Sequence, residues 1–283
     1  MGKGKQKMRF EDFARMHGLI LRDLIPNRWV ATATEDHPRS QNGRYKFLGT
    51  IGWVQNWATM TSPQTWKDGT QPHINVAEIL SKDNKERREA QAAAAEKAKR
   101  ILGETIRTTH PYLVKKGFPD ESGNVWVKDG KKILVIPMRI ANRLVGLQLI
   151  DEQGTKKFLY GQRTKGAAFL MDAKGFPIFC EGYATGLSIR AIMTALKIPY
   201  RIFVTFSAGN LQEVAGAVTG GFVVADNDSS ETGQRAALKT GKPYWLSDTP
   251  EEDFNDYHLR VGLFHASSSL RKCLFSSGVK IVG

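Results

Sequence analysis

The sequence predicts an α/β fold in its C-terminal part, within a chain that is α+β overall. Three observations carry this. From about Phe176 onward, apolar strand-like runs alternate with helical ones, the pattern of a mostly parallel sheet with helices on both faces. Residues 1 to about 75 hold short β-like runs with turn signals between them, which reads as a small β module. Between these lie a tract rich in Ala, Glu, Lys and Arg, all strong helix formers, and a smaller mixed β subdomain.

The elements follow from local pattern. "FEDFARMHGLIL" has the apolar spacing of a short helix. "RWVATAT", "GRYKFLG" and "TIGWVQNWATM" read as strands, and Asn42-Gly43 carries a hairpin-turn signal. Trp29, Tyr45, Trp53 and Trp57 interleave here with His37, Arg39, Arg44 and Lys46. That mixture suits stacking on unpaired bases; tryptophans serving as the core of a small β unit are the plainer alternative. Residues 76–104 predict one long exposed linking helix, with Glu96 and Arg100 as a favourable pair one turn apart. "HPYLVKKGF" reads as a short helix ending at Gly117. "ILVIPMRI", "RLVGLQLI" and "KKFLYG" follow as successive strands, with Pro137 marking an edge or a bulge. Then the strands "FPIFCEG", "YRIFVTF" and "GFVVADND" alternate with the helices "ATGLSIRAIMTALK", "GNLQEVAGAV" and "TGQRAALKTG", and "PYWLS" offers a fourth strand. The expected divisions are 1–75, 76–104, 105–172, 173–262 and a C-terminal helix or tail, 263–283.

Composition narrows the function. The 283 residues carry 41 Lys plus Arg against 28 Asp plus Glu, a net charge of +13 that suits a polyanionic partner. No run of about 20 apolar residues occurs, so no membrane span is expected. The start lacks an apolar signal core, and Gln6 breaks the myristoylation pattern. Only Cys180 and Cys273 are present, which excludes a Cys-based zinc ribbon and fits a reducing cytoplasm better than a disulfide. A Walker A pattern is also absent, so the chain contains no helicase motor of that kind.

The strand ends carry the chemistry. In a parallel α/β sheet, ligands bind at the carboxyl ends of the strands. Glu181-Gly182 stands at the first of these ends, and Asp226 and Asp228 stand at the third. A single Asp there is commonly a helix cap. Three carboxylates converging from two strands instead suit a hard cation such as Mg²⁺, the usual tool of phosphoryl transfer. In "EDFNDYHL", Asp253 and Asp256 either add an outer carboxylate, Asp256 being the candidate ligand, or cap the next helix.

"CEGYATGLSI", "TFSAGNL" and "ADNDSSETGQRAA" resemble the TOPRIM domain of bacterial-type primases, topoisomerases and some nucleases. Upstream, "IPMRIANRLVGLQLIDEQGTKKFLYGQRTKGAAF" resembles the catalytic core of bacterial-type primases, and the nearest likeness is to stand-alone primases of phages and plasmids. The resemblance covers roughly residues 105 to 260. It implies a Rossmann-like TOPRIM sheet over 173–262, with Glu181, Asp226 and Asp228 binding Mg²⁺ or Mn²⁺. It also implies that Arg139, Lys156, Lys157, Arg163, Lys165 and Asn210 lie on the nucleotide and template side. The chain departs from the family in having no zinc ribbon. A zinc-free module gripping template through Arg39, Arg44, Trp53 and Trp57 is expected in its place.

The resemblance therefore implies a DNA primase that joins ribonucleotides on single-stranded DNA, for phage or plasmid replication, in the cytoplasm. The implied partners are template, ribonucleoside triphosphates and a separate helicase. The metal would be held by Glu181, Asp226 and Asp228, or Glu181 would act as general base. A TOPRIM nuclease, a topoisomerase, and a non-catalytic single-strand-binding module are the rivals. The upstream strand block argues against the first, chain length against the second, and the intact carboxylates against the third.

Overall fold

The computed structural model describes residues 8–60, 62–69, 76–172, 174–228 and 231–276. The basic start, the Ser229-Ser230 pair and the end of the C-terminal tail lie outside them. The chain divides into two compact units, 1–85 and 86–283, each with its own core.

In the first unit, α1 (Phe10–Met16) packs on a five-stranded antiparallel sheet. Its strands, in spatial and chain order, are β1 (Leu19–Ile20), β2 (Trp29–Thr34), β3 (Gly43–Phe47), β4 (Ile51–Asn56) and β5 (Gln64–Lys67). Alternation sets the two faces. Tyr45, Val54 and Trp66 turn inward onto Phe10 and Ala14 of α1. Trp29, Arg44, Lys46, Trp53 and Gln55 share the other face through the pairs Trp29–Lys46, Lys46–Trp53 and Arg44–Gln55. The tight hairpin turn is not at Asn42-Gly43. It lies at Leu48–Thr50, where Gly49 has φ 85° and the Leu48 N–H donates to the Ile51 carbonyl at 2.8 Å. Gly43 already belongs to β3; its absent side chain gives room to Thr34, whose methyl would lie 2.8 Å from a Cβ there.

The helix expected after this sheet is α2 (Val76–Gly103). Its later turns belong to the second unit, where Ala98 and Ile101 pack against Val135, Leu147 and Leu159. These come from a second antiparallel sheet. Its spatial order is β10 (Lys156–Phe158), β9 (Arg143–Ile150), β8 (Lys131–Ile140), β7 (Gly123–Lys128), β6 (Ile106–Thr108). Between β6 and β7 sits the short α3 (Pro111–Lys115), capped by the His110 ring, which accepts from the Tyr112 N–H. Pro137 lies in the central strand β8, where β7 no longer pairs with it: that ladder ends at Val135. A register shift follows at Met138/Arg139. The strand thus tolerates a residue without an N–H because one of its sides is open there.

The third sheet is mixed. β12 (Phe176–Cys180), β13 (Tyr200–Val204), β14 (Phe222–Val224) and β15 (Tyr244–Trp245) are mutually parallel, and β11 (Phe169–Met171) runs antiparallel along one edge. Helices cover both faces. Along β12, Ile178 and Cys180 face the core shared with α4 (Tyr183–Ala195) and α7 (Phe254–Ser276). Phe179 faces the opposite core, formed with α5 (Ala208–Gly216) and α6 (Thr232–Lys239). The last helix, α7, starts at Phe254, ahead of the 263–283 segment expected to be a helix or tail, and is broken at Gly262 (φ 77°, ψ 165°). Cys180 is a free thiol and is wholly buried.

Spatial order β11–β13–β12–β14–β15 matters for function. From β12 the chain crosses to β13 on one side, then returns past β12 to β14 on the other. Such a reversal opens a crevice at the carboxyl ends of the strands on either side of it. Here those strands are β12 and β14, and Glu181 and Asp226 stand just beyond them.

Candidate active site

Glu181 directly follows β12, and its backbone carbonyl accepts the Phe206 N–H at 2.9 Å. Phe206 adopts φ 70°, a conformation uncommon for a bulky residue, at the turn between β13 and α5. Asp226 lies two residues past β14, and Gly233 of α6 comes so close that a Cβ there would stand 2.4 Å from the Asp226 carbonyl oxygen. The two acids are partly buried. One oxygen of each, Glu181 Oε1 and Asp226 Oδ1, is shut off from solvent without a hydrogen-bond partner.

Electrostatics reports the strain of this arrangement. Burial, then the negative charges of Asp226 and Asp228, push the Glu181 carboxyl up to about 8, against the opposing pull of the Ala208 N–H and Lys156. Burial, then Asp253, push Asp226 up to about 7; Lys156 opposes, and Asp228 and Asp256 add to the rise. Buried acids so placed call for a cation. Among the described residues, no three His, Cys, Asp or Glu side chains gather tightly enough to form a complete metal cage. Two orphaned carboxylate oxygens fit a Mg²⁺ ion, which commonly takes one or two carboxylates and completes its shell with water and phosphate oxygens.

The remaining acidic candidates are held differently. Asp228 accepts the Thr232 N–H at 2.9 Å at the start of α6, so it caps that helix while still acting on both buried acids. Asp256 is 3.0 Å from the Lys116 ammonium, which also lies 3.9 Å from Asp253. The sequence offered both Asp253 and Asp256 as an outer carboxylate and favoured Asp256; the field at Asp226 is set more by Asp253.

The basic candidates divide by strand register. Lys156 pairs with Ile150 and Phe158 with Gln148, whereas Lys157 pairs with Leu149. Alternation turns Lys156 toward the acidic pair, whose charge state it affects, and Lys157 toward the opposite face. There Lys157 lines a cavity of about 330 Å³ with Trp126, Lys131 and Asp151. Arg139 follows the register shift in β8; its guanidinium donates to the Asn142 carbonyl, and its backbone pairs with Ala168 beside β11. Arg163 donates to the Lys165 carbonyl, and Lys165 is ion-paired to Glu213 at 3.3 Å. Asn210 is buried. Its carbonyl oxygen accepts from the Gly166 N–H, and its amide donates to Ala167 and Thr205. It fastens the basic loop to α5 rather than presenting its amide to a ligand.

In the first unit, the Arg44 guanidinium stands 4.5 Å from the Trp29 ring centre and 5.9 Å from that of Trp57, and hydrogen-bonds Gln55. Trp29 and Trp57 are substantially exposed, Trp53 is half-buried on the same sheet face, and Trp66 is the core tryptophan. Lys46 on that face is buried against Asp83. Arg39 lines a separate cavity of about 280 Å³ with Arg22 and Tyr45. The sequence placed Trp29 in the aromatic–basic mixture but assigned the template grip to Trp53, where the structure stacks Trp29 on Arg44 instead.

No family model matches the chain. It is 29% identical over 151 residues to a DNA primase TraC of Escherichia coli, which is 50% of this chain and 10% of that protein. To a second protein of the same name and organism it is 27% identical over 143 residues, 47% of this chain and 13% of the relative. The chain therefore spans only a small part of the relatives it matches. A solved assembly of bacteriophage T7 lagging-strand DNA polymerase with primase domains of two gp4 subunits, bound to an RNA/DNA hybrid and dTTP, contains a chain that aligns at a TM-score of 0.43 and 16% identity. That alignment covers 62% of this chain and 95% of the other. Across about half of its length, the chain is similar in sequence to DNA primase TraC.

Proposed function

We propose that this chain is a TOPRIM-type DNA primase of the phage and plasmid branch without a zinc ribbon, making short RNA primers on single-stranded DNA. The observation that carries the reading is the pair of orphaned carboxylate oxygens on Glu181 and Asp226, at the reversal point of a parallel sheet and in the field of Lys156. Sequence similarity to DNA primase TraC supports it.

Glu181 and Asp226, with Asp228 beside them, would hold Mg²⁺ or Mn²⁺. The bound ion would supply positive charge against the triphosphate and the attacking oxygen. In the reaction, the 3′-oxygen of one ribonucleotide attacks the α-phosphorus of the next. The bond to pyrophosphate breaks, and the hydroxyl proton passes to a base, a role Glu181 would take in place of holding the ion. Lys156 would neutralise phosphate oxygens beside the acids, and Arg139, Arg163 and Lys165 would hold the strand's backbone. In the first unit, Arg44 between Trp29 and Trp57 would provide a second grip on template, combining charge with stacking. A replicative helicase would be a separate chain.

The test is incubation with single-stranded DNA, labelled ribonucleotides and Mg²⁺ or Mn²⁺, beside an Asp226→Ala variant. Template-dependent oligonucleotides that the variant does not make are the expected result. Strand cleavage without synthesis, lost in the variant, would instead make the protein a TOPRIM nuclease.

A further inference from the structure

Tyr160 is 99% exposed, more than any other large apolar or aromatic side chain among the described residues. Burying an aromatic ring is favourable, so a ring left wholly in water forgoes that gain. Its surroundings are specific. Two residues earlier, Phe158 is itself 44% exposed and meets Phe206 edge-on, with ring centres 6.3 Å apart. Phe206 is the left-handed residue whose N–H is bonded to the Glu181 carbonyl. Phe158 and Phe206 thus join the chain leading into the exposed turn to the residue whose backbone is bonded to that of Glu181. Lys156, Arg163 and Lys165 flank the same stretch of chain.

The backbone keeps Tyr160 in place. Leu159 is buried against α2, and its N–H donates to the Gln162 side chain, while the Gln162 N–H returns to the Leu159 carbonyl. Gln162 also accepts from the Leu147 N–H of β9. The turn is thus anchored on both sides of an exposed ring. That is the arrangement of a preformed contact surface rather than of a loose loop.

We infer that Tyr160 and Phe158 form a stacking ledge for the unpaired bases of a single nucleic-acid strand, leading that strand toward Glu181 and Asp226. Two rings flanked by the Lys156 ammonium and the Arg163 guanidinium favour this occupant: every base offers a face to stack, and every phosphate a charge to pair. The inference rests on the proposed function for the direction of the path, but it is tested by binding alone.

The experiment uses the full chain in chelator, so that nothing turns over, with a fluorescent oligothymidylate and a matched oligonucleotide whose bases are removed. Tyr160→Ala is expected to weaken oligothymidylate binding about tenfold. Tyr160→Phe is expected to stay within about twofold of wild type, because the ring and not the hydroxyl stacks. On the abasic strand all three proteins should bind alike. Three outcomes overturn the ledge: no detectable strand binding by wild type, an unchanged Tyr160→Ala variant, or an equal loss on the abasic strand. Ring-dependent binding by a protein that makes no oligonucleotides would leave the ledge standing and remove the primase reading. Synthesis with strand binding indifferent to Tyr160 would do the reverse.

Discussion

Asp226 shows at the level of one residue how the candidate site is held at the expense of stability. Its carboxyl is pushed up to about 7 and that of Glu181 to about 8, far above ordinary carboxylates near 4. In the metal-free chain, the folded state therefore keeps protons that the unfolded state has released. Whatever these groups contribute is fully present below about pH 4, and it is lost as pH rises through 7 and 8. In chelator, wild-type stability relative to Asp226→Asn should fall between pH 5.5 and 8.5. At the upper pH the Asn variant should be the more stable, by on the order of 2 kcal/mol. Mg²⁺ should raise the melting temperature of wild type and not of the variant. Thermal melts at the two pH values check this; a variant no more stable than wild type at pH 8.5 would mean that the acid is not strained.

The elements position these acids through close approach, and glycine makes it possible. A Cβ on Gly233 would sit 2.4 Å from the Asp226 carbonyl, a backbone atom that cannot step aside. Gly233→Ala should therefore push α6 away from the end of β14, costing about 1–3 kcal/mol in denaturant unfolding. It should also reduce metal-dependent synthesis. Gly209 in α5 is the control, because nothing lies within 4 Å of a Cβ there. Gly209→Ala should be neutral or stabilising by up to about 1 kcal/mol. Equal behaviour of the two would show that α6 does not hold Asp226.

At this scale the sequence was readable where pattern is local. Long α2 and the strand–helix alternation after Phe176 declare themselves by composition and period, and a polar residue one or two positions past each parallel strand marks its carboxyl end. The three-residue strands β6 and β11 are too short to show a period, and β7 lay unmarked before the longer β8. Asn42-Gly43 misled because its glycine serves close packing rather than a turn. Lys156 and Lys157 were indistinguishable until the pairing with β9 assigned them to opposite faces. Asn210, entering the helix after β13, resembled the acids beyond their strands, yet its hydrogen bonds to Gly166 and Ala167 depend on a loop more than 40 residues away in sequence.

Across the whole molecule, net positive charge is spread over both units rather than gathered beside the acidic pair. Each unit also has its own aromatic–basic surface: Trp29, Arg44 and Trp57 in the first, Phe158, Tyr160 and Lys156 in the second. If one strand engages both, its salt dependence counts cations from both. Single-strand binding loses affinity with a slope of about −0.7 in log–log salt for every phosphate neutralised. Arg44→Ala in the full chain should then weaken oligothymidylate binding and flatten the slope by about 0.7. Trp57→Ala should weaken it with the slope unchanged, because a ring carries no charge to release counterions. Neither change should move the melting temperature much, since both side chains lie outside the Phe10, Tyr45, Val54 and Trp66 core. A salt slope identical in wild type and Arg44→Ala would mean that the first unit does not touch the strand. The basic charge of residues 1–85 would then have to serve a different polyanion or none, and strand binding would belong to the second unit alone.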